Sequence, residues 1–318
     1  MIKALLSILM FTLIYSCGNP SVSISSNQTE TKKLIGFYER AGTIQFINNV
    51  AIDTISTVEG FRATKLFLDG FHIWIDNSLP NSDQKSPWGS GQGIFGKYKI
   101  ESDSLHEIVQ YGFGGRAGLE KTGFPPELPW ASIDTIENTV TWKAAINYNN
   151  DKFSQFGNLI NEDNTDTKFA EYYIKVPDLF KSEIDGVWKR VSTIEYVNNI
   201  PVDTIPINND EYVQYKFFHN GKFMLFYRDL TNEDSSSAEY YGNATYGNFE
   251  YKDGILTERI DYGTKGMESF FKALPDKDKY GETYISFDLN LKENSYSQKW
   301  AANQETNEST SEYYIKIN

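Results

Sequence analysis

Cysteine is almost absent from this sequence: the chain of 318 residues contains one, Cys17, close to its start. A single cysteine excludes any disulfide within the chain. Histidine is nearly as scarce, with only His72, His106 and His219, and no two of them have the spacing of a metal-binding pair. There is no Gly-x-Ser-x-Gly elbow, no histidine-based zinc motif and no Walker loop. Positive charge is also in deficit, 30 Lys and Arg against 43 Asp and Glu, for a formal net charge of −13 without a basic patch. Nucleic acid is therefore excluded as a partner. No apolar run has the length of a membrane-spanning helix. These absences together predict a protein that is not an enzyme and that uses neither a metal nor a cofactor.

The longest apolar stretch, residues 4–15 after Lys3, reads as a secretory leader. It ends in Ile14-Tyr15-Ser16-Cys17, and a small residue directly before a lone cysteine resembles the lipobox at which bacterial lipoproteins are cleaved and acylated. That resemblance implies a signal peptide over residues 1–17 and a lipid on Cys17. Lys3 is the leader's one charge, so its removal leaves a net charge of −14. Acyl chains, at about 0.8 kcal/mol per buried methylene, would hold the mature chain at a membrane without a spanning helix. Residues 18–32 show no periodicity and few large apolar side chains, and read as a flexible tether. At roughly 3.3 Å per residue the tether reaches up to about 50 Å. Gly18 stands where Asp marks inner-membrane retention in some lipoproteins, so the resemblance implies the outer membrane, with the protein periplasm-facing or surface-exposed.

Aromatic residues are plentiful, 21 Tyr and 21 Phe against 4 Met, and favour strands. The strongest signal is internal repetition. Residues 36–55, GFYERAGTIQFINNVAIDTI, recur as GVWKRVSTIEYVNNIPVDTI at residues 186–205, a shift of 150. At a shift of 151, LHEIVQYG at residues 105–112 matches LTERIDYG at residues 256–263. Both copies close on EYYIK, at residues 171–175 and 312–316. Two domains follow, residues 33–178 and 182–318, joined by a short linker.

Each copy reads as short strands separated by polar turns. Asp69-Gly70 and Asn220-Gly221 lie between aromatic runs as two-residue hairpin turns. Asp253-Gly254, Ser102-Asp103, Asn48-Asn49 and Asn198-Asn199 mark further turns, and residues 267–274 are the one stretch with brief helical periodicity. A meander of about eight strands in about 140 residues closes most economically as a barrel, which removes exposed edges. The expected fold class is all-β, two tandem antiparallel up-and-down barrels. Gly186-Val187-Trp188, followed by Lys189-Arg190, resembles the first-strand signature of lipocalins and bacterial lipocalin-like lipoproteins. Gly36-Phe37-Tyr38 is a weaker copy, and the Gly-x-Phe-x-Tyr-x-x-Gly-x-Leu-x-Glu run at residues 247–258 is similar to the same group. Tyr38 in place of Trp, and the lack of a Thr-Asp-x-x-Arg segment, are departures from the true lipocalins.

Alternation along the first strand sets Gly36, Tyr38 and Arg40 on one face, and likewise Gly186, Trp188 and Arg190. The family orientation implies that this face points inward, with the aromatic residue plugging one end. An inward Arg40 or Arg190 needs an acceptor, for which the duplicated Glu107/Glu258 and Glu171/Glu312 are candidates. Such an arginine either closes the barrel or meets a ligand carboxylate or phosphate. GSGQGIFGK at residues 89–97 has the glycine spacing of a phosphate loop, but its repeat partner carries Ala244 at the central glycine, and KYKI follows where a helix would be required. It reads as a glycine-rich strand. Copy one alone carries the insertion at residues 112–134, with Phe124, Pro125, Pro126 and Trp130, read either as a barrel mouth or partner surface or as a self-packed connection. Two functions remain open. In one, a barrel binds a small hydrophobic ligand among His72, Trp74, Trp88, Phe95 and Trp130. In the other, filled barrels form an interaction module for an envelope protein partner.

Overall fold

The computed structural model describes residues 34–48, 50–56, 61–78, 88–89, 91–114, 131–137, 139–149, 151–160, 166–231, 242–268, 283–302 and 305–318. The leader, Cys17, the tether, Phe124, Pro125, Pro126 and Trp130 lie outside the described residues. Copy one contributes β1 (Gly36–Ile47), β2 (Val50–Ser56), β3 (Phe61–Leu68), β4 (Phe71–Ser78), β5 (Trp88–Gly89) and β6 (Gly93–Glu101). It continues with β7 (Ser104–Phe113), β8 (Ala131–Asp134), β9 (Thr139–Asn149), β10 (Lys152–Ile160) and β11 (Asp166–Lys175). Copy two supplies β12 (Gly186–Val197), β13 (Ile200–Pro206), β14 (Tyr212–His219), β15 (Lys222–Asp229) and β16 (Gly242–Lys252). Its last strands are β17 (Ile255–Thr264), β18 (Tyr284–Lys292), β19 (Ser295–Lys299) and β20 (Glu308–Ile317).

Each copy closes an antiparallel barrel of eight strands. In the first, β1, β3, β4, β6, β7, β9, β10 and β11 pair in a ring. In the second, β12 and β14 to β20 do so, closed by β12 against β20. β2 and β13 stand outside these rings, each paired only with the first strand of its copy. The hairpin turns have the backbone their residue types favour. Asp69-Gly70 (φ 52° and 81°), Asn220-Gly221 (50° and 84°) and Asp253-Gly254 (51° and 80°) are all left-handed at both central residues, as tight antiparallel hairpins require. Of the stretch with helical periodicity, Met267 and Glu268 are helical, as is Gly266 before them, and residues 269–274 are outside the described residues.

The glycine-rich segment enters β6 and bulges there. Register shifts between Phe95 and Gly96 against β7, and between Tyr246 and Gly247 against β17. A Cβ at Gly96 would stand 2.0 Å from the Ile108 carbonyl oxygen, and one at Gly247 would stand 1.9 Å from that of Arg259. The repeated glycine is thus a close backbone approach at a bulge.

Strands on one side of each barrel are buried on both faces, which explains their poor polar alternation. In β14, Gln214, Lys216 and Phe218 face the interior while Val213, Tyr215 and Phe217 join a second core between the barrels. That seam draws Phe37, Leu66, Ile73, Ile75 and Phe95 from copy one and Val187, Phe217, Met224, Phe226 and Tyr246 from copy two. The positions correspond: under the repeat shift Leu66, Ile73, Ile75 and Phe95 become Phe217, Met224, Phe226 and Tyr246. Contacts are reciprocal as well. Tyr111 lies 6.2 Å from Tyr215 between ring centroids, while Tyr262, the counterpart of Tyr111, donates a hydrogen bond to Thr64, the counterpart of Tyr215. One face of the repeat therefore packs on the same face of its copy, the arrangement of a two-fold dimer joined in one chain. At the centre, Phe95 stacks on Tyr215 at 3.8 Å. Phe95→Ala is expected to lower stability by about 3–5 kcal/mol in chemical denaturation, with both barrels unfolding in one transition; a loss below about 1 kcal/mol would contradict the seam.

Candidate functional site

Inside each barrel a chain of polar side chains crosses the apolar core. In copy two, Arg190 on β12 pairs with Glu312 on β20 at 2.9 Å and donates to Gln214 and Thr193. The Gln298 amide donates to Glu312 at 2.6 Å, and its carbonyl oxygen accepts from Lys216 Nζ at 2.9 Å. Lys216 Nζ also pairs with Glu258 at 2.6 Å. Copy one repeats this: Arg40 with Glu171 (3.3 Å), Gln155 donating to Glu171 (2.6 Å), and Lys65 donating to Gln155 (2.8 Å) and to Glu107 (2.7 Å). Tyr173 and Tyr314 each donate to the glutamate two residues before them. Within each of these chains two cations meet two anions, so their buried charge is paired and hydrogen-bonded as burial demands.

Sequence reasoning offered both glutamate pairs to the arginines, and the structure divides them. Glu171 and Glu312 take the arginines, while Glu107 and Glu258 take Lys65 and Lys216, which the motif search passed over. The signal was present, since Lys65 and Lys216 interrupt apolar strands at the repeat shift of 151. The expected plugs are inside: Tyr38 packs edge-on against Phe67 and Phe153, and fully buried Trp188 packs on Tyr296 and donates to the Ile184 carbonyl at 2.8 Å. Gly36 (φ 116°) and Gly186 (φ 147°) start these strands.

The second barrel encloses a cavity among its inward side chains. Its volume is about 310 Å³, and its lining combines polar Arg190, Gln214, Lys216, Gln298 and Glu312 with apolar Leu225, Met267, Ile285, Phe287 and Trp300. Tyr212, Tyr227, Thr245 and Glu258 complete the lining. The polar wall lies on adjacent strands β19, β20, β12 and β14. Burial raises Glu258 above the usual carboxylate range although Lys216 pulls it down. For Arg190 burial acts to lower the value, and Glu312, Tyr314 and Tyr212 carry it above its ordinary one. Burial raises the Tyr212 phenol strongly, keeping it neutral.

The copies differ in side-chain size at matching positions: Trp74 lies opposite Lys65 where Leu225 lies opposite Lys216, Trp142 lies opposite Glu107 where Ile285 lies opposite Glu258, and, in the other direction, Ala144 lies opposite Leu105 where Phe287 lies opposite Leu256. Of the residues expected to bind ligand, His72, Trp74, Trp88 and Phe95 are described, and none of these four lines the cavity of copy two. His72 is fully buried in barrel one, stacked on Phe67, with Nδ1 3.4 Å from Glu107. Burial and then Lys65 hold it well below its ordinary value, so it is neutral. Trp74 is half-buried on the same face. Phe95 is not in a barrel interior: it lies on the outward face of β6, in the seam. Trp88 leaves its own copy altogether. β5 adds in parallel to β17 beside Gly263, and Trp88 joins the apolar cluster of barrel two with Ile260 and Met267.

No known family model matches this sequence, and no curated protein does. Among solved structures, a protein of unknown function of the DUF3598 family from Nostoc punctiforme PCC 73102 is aligned over 92% of this chain and 99% of its own, at 6% identity and a TM-score of 0.25. So low a score carries no conclusion about the fold or the site.

Near Arg40 and Glu171, burial pushes the Asp76 carboxyl up to about 6 against hydrogen bonds from Gln92, whose backbone N–H donates at 2.9 Å. A carboxyl raised on folding favours the folded state while protonated, so the contribution of Asp76 to stability is fully present below about pH 4 and is lost as pH rises through about 6. Asp76→Asn is expected to gain on the wild type by on the order of 2 kcal/mol between pH 4 and 7. Parallel pH–stability curves for the two proteins would show that Asp76 is not perturbed.

Proposed function

We propose that this chain is a non-catalytic, lipid-anchored protein of the cell envelope whose second barrel holds a small, largely apolar molecule. The observation that carries this reading is the cavity of about 310 Å³ walled by Leu225, Met267, Ile285, Phe287 and Trp300, within the size and character of small-molecule sites. The Gly-x-Trp start of copy two and its closing strand, similar to lipocalin-like lipoproteins, agree with it. The anchor at Cys17, the tether and an outer-membrane location rest on the sequence of residues 1–32. In this reading the barrels divide the work: Trp74 and Trp142 narrow the first, and the second is the compartment.

An interaction role is favoured by a separate observation. The strands β2 and β13, which lie outside the rings, expose apolar side chains at repeated positions, Val50 and Ile52 on β2 and Ile200 and Val202 on β13, each at least half exposed. An envelope protein partner would find matching surfaces there on both copies.

Native mass spectrometry of the purified protein, followed by organic extraction, tests the compartment. A bound small molecule is expected in the wild type. Leu225→Trp, which gives barrel two the residue that barrel one has at Trp74, is expected to abolish it at a stability cost of about 1–3 kcal/mol from overpacking. Equal ligand content in both proteins would place any bound molecule elsewhere.

A further inference from the structure

The chemistry of the cavity wall narrows the ligand. Each charged group on it is already matched: Arg190 with Glu312 at 2.9 Å and Lys216 with Glu258 at 2.6 Å. The lining therefore has two cations and two anions and no net charge. A carboxylate or ammonium entering this space would be a fifth charge without a partner, set against the apolar side chains of Leu225, Met267, Ile285 and Phe287, and burial of an unpaired charge is strongly unfavourable. Neutral hydrogen-bonding capacity remains. Fully buried Thr245 lines the cavity, and its Oγ1 has no hydrogen-bond partner among the described residues; Arg190 Nε is in the same condition. Nε can only donate, whereas the hydroxyl can do both, so the group that satisfies either is a hydroxyl or carbonyl oxygen. At about 30 Å³ for each water-sized group, about 310 Å³ holds on the order of ten non-hydrogen atoms.

We propose that the second barrel selects an uncharged amphiphile of this size, with a hydroxyl or carbonyl oxygen toward Arg190 or Thr245 and its hydrocarbon against Leu225, Ile285 and Phe287, over the same skeleton bearing a full charge. This rests on the reading of that barrel as a binding compartment. Charge balance sets the selectivity: Glu312 occupies the guanidinium that an anionic ligand would otherwise use.

The test titrates the full chain at pH 7 with 1-octanol, octanoate and octylamine, following the methyl resonances of Leu225, Met267 and Ile285. 1-Octanol is expected to bind at least tenfold more tightly than either ion. Thr245→Val, which keeps the side-chain shape, is expected to reduce 1-octanol affinity severalfold if the hydroxyl is the contact, and an Nε contact leaves the order of the three probes as the readout. Glu312→Gln is expected to move the preference toward octanoate by freeing Arg190. Octanoate or octylamine binding as tightly as 1-octanol in the wild type would overturn the selectivity while leaving the compartment in place. Failure of all three probes to shift the methyl resonances would overturn the compartment, and the selectivity with it.

Discussion

The rest of the structure depends on a lysine held inside each barrel. Lys65 and Lys216 are almost completely buried, and a buried ammonium ion is tolerable only with a close anion and further hydrogen-bond acceptors. Glu107 or Glu258 supplies the anion from across the barrel, Gln155 or Gln298 supplies the acceptor, and the glutamine in turn holds the glutamate that pairs with the arginine. This ties β3 to β7, β10, β11 and β1 in copy one, and β14 to β17, β19, β20 and β12 in copy two. A slip of one residue in any of these strands would turn its charged group to the opposite face. The polar chain therefore specifies register in a barrel whose apolar residues are interchangeable in kind.

Repetition adds a second constraint. The faces that meet between the barrels are equivalent faces, and the contacts of Tyr111 with Tyr215 and of Tyr262 with Thr64 are the reciprocal pair that two-fold symmetry generates. The copies then differ where symmetry no longer binds them. Trp88 crosses from copy one to extend the sheet of copy two, and Trp74 and Trp142 stand where copy two has Leu225 and Ile285. The cavity of the second barrel is shaped by its own side chains on a polar framework that both copies share.

Much of this was legible in the sequence, and the parts that were not have a common cause. The all-β class and the turns at Asp69-Gly70, Asn220-Gly221 and Asp253-Gly254 depend on local chemistry, which a short window contains, and the repeat was legible by comparing segments about 150 residues apart. Alternation sets Tyr38 with Arg40, and Trp188 with Arg190, on one face, while the inward direction of that face was implied by the resemblance to lipocalin-like proteins. Phe95 was misread because β6 is covered on both faces, one by the barrel core and one by the seam, and alternation cannot distinguish two buried sides. Trp88 was misread because its partner Gly263 belongs to the other copy. The lysine–glutamate pairs span 42 residues, beyond any local pattern, yet duplication of both members at one shift would have exposed them. The cavity depends on summed side-chain volumes around a ring, which no single motif records.

The buried pair of Lys216 and Glu258 can be tested by a double-mutant cycle in chemical denaturation with Lys216→Met, Glu258→Leu and the double variant. If the lysine is held by that glutamate, each single change costs about 3–5 kcal/mol by leaving a charge unpaired, and the double variant costs at least about 2 kcal/mol less than their sum. Single-variant losses that add to within about 0.5 kcal/mol in the double variant would contradict the pairing, and with it the polar chain that sets the register of both barrels.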